Sequence, residues 1–170
     1  IEVDRRYLGK DRIEKAADVY RLMYYTHNIH MRWAGLMFEG RSADALAAAR
    51  DVVAATPIEA VRQMPPMEFW PPVYLYTLAR FGKWDEMLAE PAPADKFRYP
   101  KGVWHYARGL AFLAKDRIAE AERELAEVRA IAADPALNYP MFSPNTAAAI
   151  FSIAGGALVV AGFPFTVKSV

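Results

Sequence analysis

The sequence contains no cysteine. Disulfides, thiolate metal sites and a cysteine nucleophile are therefore excluded, and the compartment is left open between a reducing cytosol and an unstapled periplasmic protein. The cytoplasm is the expected location, with the periplasm as the alternative. No sign of charge dominates either. A formal net charge of +1 gives no field that would gather nucleic acid or acidic lipid, so neither is an expected partner. Histidine is scarce, at three residues: His27, His30 and His105. Also missing are the GxSxG, Walker, HExxH and GxGxxG patterns that carry nucleophilic, phosphate-binding, zinc and dinucleotide chemistry. No catalytic residue and no cofactor is expected. The chain starts at Ile1 without a signal-peptide pattern and reads as an excerpt of a longer protein.

What is present suits a packed helical domain. The 170 residues are 54% hydrophobic and 24% charged, an ordinary globular balance. The stretch from His27 to Pro57 has an apolar helical pattern up to Glu39, a break at Gly40-Arg41-Ser42, and a second, Ala-rich helical pattern. Such a short break predicts an antiparallel hairpin, closed by Gly40 and with Ser42 as the N-cap of its second helix. Ahead of it, Asp11 to Met23 has roughly helical spacing of apolar residues. Beyond it, Pro71 and Pro72 can open a helix running through VYLYTLARF to Gly82, with KWDEMLAE as its partner. Lys101 to Lys115 and Ile118 to Ala132 form the next expected pair, turning at Asp116-Arg117. Pro-rich stretches at Pro65 to Pro72, Pro91 to Pro100 and Pro135 to Pro144 should connect the pairs. Last, Ser143 and Pro144 can start a helix through NTAAAIFSIAGGALVVAG.

The three breaks share a pattern. Gly40 is followed five positions later by Ala45, Gly82 by Met87 and Asp116 by Ala121, and Gly82 and Asp116 are 34 residues apart. That is the tetratricopeptide repeat period. Gly109, Phe112, Ala121 and Leu125 fall where that repeat has its small, aromatic, alanine and large apolar positions, and Pro57 falls on its terminal proline. The chain thus resembles a tetratricopeptide repeat protein from about Thr26 to Gly162. Asp116 and Met87 depart from the pattern, and the spacings of 42 from Gly40 to Gly82 and 46 from Asp116 to Gly162 imply longer loops. The Tyr25 to His30 segment, Tyr-x-His-Asn-x-His, before Gly40-Arg41-Ser42 also resembles a group of long bacterial repeat proteins, with no chemistry to transfer.

The resemblance implies an all-α fold, a right-handed solenoid of stacked antiparallel hairpins. Residues 1–25 would be a leading helical segment, 26–142 three hairpins with long loops, and 143–170 the first helix of a further, truncated repeat. It implies a scaffold for protein–protein interaction, whose concave groove holds a peptide or partner helix. By the repeat register that groove includes His27, His30, Met31, Phe69, Tyr76, Arg80 and Tyr106. Some of these aromatics equally suit a core. Ala34 and Leu110 stand where a carboxylate clamp needs polar donors, which disfavours chaperone-tail binding.

Two other readings compete. His27 and His30, three residues apart on one helix, can present two imidazoles to a metal or a substrate, but zinc wants three or four protein ligands. The third reading is a structural segment of a larger array. The acidic residues from Glu120 to Glu127 read as a solvated helix face. The uncharged run from Ser143 to Val167 is long enough for a membrane span, yet its Ala and Gly content and Pro164 favour a packed repeat helix. Its open apolar face would then promote self-association.

Overall fold

A computed structural model describes residues 1–8, 20–56 and 65–138. Among them every regular element is helical and none is a strand. The protein is all-α. In chain order the helices are α1 (Glu2–Leu8), α2 (Thr26–Phe38), α3 (Ser42–Ala55), α4 (Val73–Arg80), α5 (Trp84–Ala89), α6 (Arg98–Ala114) and α7 (Ile118–Ala132). A π-helical turn, Tyr20–Tyr25, leads into α2, and 3-10 turns cover Pro65–Phe69 and Pro135–Leu137. No described helix is long and apolar enough to cross a membrane. The helices expected at Asp11 to Met23 and Asn145 to Gly162 lie wholly or mostly outside the described residues, as do Pro57 and the run from Ser143 to Val167.

The three breaks are one turn used three times. Gly40, Gly82 and Asp116 all have left-handed backbone, with φ of 72°, 64° and 57°. At each, the left-handed residue donates its N–H to the carbonyl three back and the next residue donates to the carbonyl five back. The bonds are Gly40 to Met37 and Arg41 to Leu36, Gly82 to Ala79 and Lys83 to Leu78, Asp116 to Leu113 and Arg117 to Phe112. This double bond pattern satisfies carbonyls that a helix end leaves without partners. The following helix then begins at once, because the carbonyls of Arg41, Lys83 and Arg117 accept from Ala45, Met87 and Ala121. Each of those three donors is a core residue: Ala45, Met87 and Ala121 are all buried.

Local expectations shift in places. Arg41, not Ser42, holds the N-cap position of α3, and no side chain caps the helix. The turn explains this, since Arg41 is already fixed by its bond to Leu36. In place of a cap, each hairpin sets a basic residue before the helix and an acid three residues on: Arg41 with Asp44 at 2.8 Å, Lys83 with Glu86 at 3.8 Å, Arg117 with Glu120 at 2.7 Å. The acid also faces the positive end of the helix dipole. Pro71 and Pro72 lie in the turn before α4, where the Pro72 carbonyl accepts from Tyr76. Helix α6 starts at Arg98, ahead of the expected Lys101, with Pro100 in its first turn, where the missing N–H costs nothing.

The chain divides into two compact units, Ile1–Thr77 and Leu78–Val170, with the boundary inside α4. In the first, α2 and α3 pack antiparallel: the Thr26 hydroxyl at the start of α2 donates to the Ala55 carbonyl at the end of α3. Their core joins Ile29, Ala49, Val52, Met67, Trp70 and Val73. In the second, α6 packs on α5 and on α7. Arg98, at the start of α6, pairs at 2.7 Å with Asp134, just past the end of α7, which fixes the antiparallel sense. Gly109 and Ala107 are buried on α6, where small residues admit close helix approach.

Candidate functional site

Helix α2 is anchored from one side by the residues of the Tyr-x-His-Asn-x-His segment. Asp4 of α1 accepts from Asn28 at 3.1 Å and from Tyr20 at 2.5 Å, and Tyr25 accepts from Arg5 at 3.4 Å. Bonds from the Ile1 amino group, Tyr20 and Asn28 hold the Asp4 carboxyl down at about 2. Tyr25 and Asn28 therefore hold α1 in place.

The two histidines of the segment part company. His30 is half-buried, stacked on Trp33 with centroids 4.9 Å apart and edge-on to Phe69 at 5.8 Å. Burial, aided by the charge of His27, lowers its pKa and favours the neutral ring. Trp33 is itself fixed, donating from Nε1 to the Thr77 hydroxyl at 2.7 Å. His27 is exposed, and so is Met31, four residues on and hence on the same face. The structure thus brings His30 and Phe69 together as packing and leaves His27 and Met31 facing solvent.

That face is longer than the sequence pattern suggested. Tyr24, Met31 and Phe38 follow one another at intervals of seven and are 61%, 50% and 88% exposed. Gly35 lies among them, and a Cβ there would meet nothing. One apolar strip therefore runs from the π-helical turn along α2 to its end. Tyr24 and Phe38 were both missed, although Phe38 stands two before Gly40 as Arg80 stands two before Gly82.

The remaining expected groove residues are placed differently. Tyr76 on α4 is half-buried, and Arg80, the last residue of that helix, is exposed. Tyr106 is half-buried on α6, where burial raises the pKa of its hydroxyl. Val103 and Ala107 stand at the same distance from Asp116 as His27 and Met31 from Gly40, yet both are buried. The open strip of α2 is not repeated there.

The acidic face expected on α7 is also not uniformly solvated. Glu124 is buried, accepting from Nδ1 of His105 at 2.6 Å and from Nε of Arg108 at 2.9 Å. Arg108 donates further to the Leu88 carbonyl at 3.2 Å and lies over the rings of Trp104 and Phe112, at 4.3 Å and 5.1 Å. Trp104 donates to the Glu90 carbonyl at 3.0 Å. Since a carboxylate only accepts, Nδ1 of His105 carries a proton, and its buried Nε2 has no partner among the described residues. The signal for this cluster was present: Glu124 continues the spacing of Ala121, Val128 and Ile131, the buried stripe of α7.

No group of three or more His, Asp or Glu side chains among the described residues could hold a metal ion. Compared with known proteins, the chain matches no family model, no curated protein and no solved structure.

Proposed function

We propose that the chain is a protein-interaction scaffold of tetratricopeptide type, its hairpins stacked as a right-handed solenoid that binds a peptide or a partner helix. The observation that carries this reading is the threefold turn. One left-handed residue, one basic residue, an acid three further on and a buried residue after it recur at Gly40, Gly82 and Asp116, which is the mark of a repeated unit. Repeats of this kind leave side chains of their first helices free for partners, and α2 has such a strip.

In this reading His27 and Met31, extended by Tyr24 and Phe38, supply the apolar contact. His30 and Phe69 stiffen the helix behind it. Tyr76, Arg80 and Tyr106 are the further contacts, with Arg80 facing an acidic group of the partner. Aromatic residues and arginine are the types that most often dominate binding energy, and Met adapts to varied apolar partners. A peptide-display selection against the whole chain tests the reading. It predicts enriched sequences with apolar residues at helical or heptad spacing, displaced by one another in competition. Selection that yields no sequence preference would remove the support.

A further inference from the structure

We propose that His105, Arg108 and Glu124 form an acid-released latch, in which one buried carboxylate ties α7 to α6 and, through Arg108, to α5. This goes beyond the scaffold reading and does not rest on it. The geometry is that of a keystone. Both carboxylate oxygens are used, Oε2 by His105 and Oε1 by Arg108, and both donors come from another helix. Arg108 carries the link on to the backbone of α5 at Leu88. The groups bonded to the carboxylate are these two bases from α6, and α5 joins through Arg108, which donates to the Leu88 carbonyl. Arg98 with Asp134 also joins α6 to the end of α7, but with side chains 38% and 23% exposed, and the pairs Lys101 with Asp95, Lys115 with Asp85, Lys83 with Glu86 and Arg117 with Glu120 each have at least one exposed partner. They lose little when solvent screens them.

Protonating Glu124 removes the negative charge that both bases share. The half-buried guanidinium of Arg108 then loses its counter-charge, and only one carboxyl oxygen is left as a full acceptor for the two donors, Arg108 and Nδ1 of His105. Nε2 offers no relief, because it has no partner of its own. Breaking a buried pair from one side is far more costly than replacing both sides by apolar groups. The direction of titration agrees. Burial pushes the Glu124 carboxyl up, but the bonds from His105 and Arg108 outweigh it and set the net shift downward from the ordinary 4.5. The latch is therefore closed above 4.5 and opens as pH falls through the depressed value.

Amide hydrogen exchange on the whole chain tests this. Protection factors in Ile118–Ala132 should fall roughly tenfold or more on acidification below the ordinary carboxylate range, relative to those in Ser42–Ala55, a factor equivalent to about 1.4 kcal/mol. Glu124→Gln should show the open pattern already at neutral pH. Should that variant fail to fold, the triple variant His105→Leu, Arg108→Met, Glu124→Leu decides, since it keeps the packing and removes the charges. It is expected to retain α7 protection at all pH values. If α7 loses no more protection than α3 in the wild type, or if the triple variant shows the same acid release, the latch is overturned.

Discussion

Asp116 takes the left-handed backbone of Gly82, with φ of 57° against 64°, and donates its N–H in the same way to the carbonyl three residues back. A glycine position is thus filled by a residue with a side chain. L-residues pay roughly 1–2 kcal/mol in this region, aspartate less than most. Asp116→Gly should therefore stabilise slightly or leave stability unchanged, because the relieved strain is offset by the greater freedom of the unfolded chain. Gly40→Ala should cost about 1–2 kcal/mol. Space does not enter at Gly40, since its Cβ would meet nothing. Urea midpoints of the two variants check both signs.

The residue five positions beyond each turn offers a packing test. Ala45 and Ala121 are 0% and 4% exposed. Substituting leucine at either should destabilise by roughly 1–3 kcal/mol, the cost of forcing extra methylenes into a packed interior. Ser42→Ala should change stability little, because no side chain caps α3. A large loss at Ser42 in denaturant titrations would argue against this arrangement.

His30 gives a pH dependence of definite sign. Burial, then the charge of His27, lowers its pKa from the ordinary 6.5, so the unfolded chain binds the proton more readily. Stability from this group is fully present above 6.5 and is lost as pH falls through the depressed folded value. His30→Phe should keep the contacts with Trp33 and Phe69 and flatten that part of the profile. Unfolding free energies measured in urea across this range separate the two outcomes.

How far the sequence could be read differs by feature. The turns were legible because left-handed backbone has few tolerant residues, and Gly40, Gly82 and the asparagine-like Asp116 are among them. Burial of Met87 was legible from its place five beyond Gly82, even though it departs from the alanine pattern. Glu124 was legible only by its place on the buried stripe of α7, while the partners that make its burial tolerable, His105 and Arg108, stand 19 and 16 residues away on another helix and were not. The same limit applies to Asn28, whose partner Asp4 lies 24 residues earlier. Phe38 was overlooked for a simpler reason: the helical pattern assigns Leu36 to the core, and a residue two further on points elsewhere.

The measurement closest to the central claim is calorimetry of a display-selected peptide with the wild type and with Met31→Ala, Phe38→Ala, Tyr76→Ala and Arg80→Ala. Met31, Phe38 and Arg80 are exposed, so their removal should leave the fold intact, as circular dichroism will show. The scaffold account predicts that Met31→Ala or Phe38→Ala, together with at least one of the other two, weakens binding by about 1–3 kcal/mol. Unchanged affinity in all four folded variants would contradict it and move the binding face off the first helices.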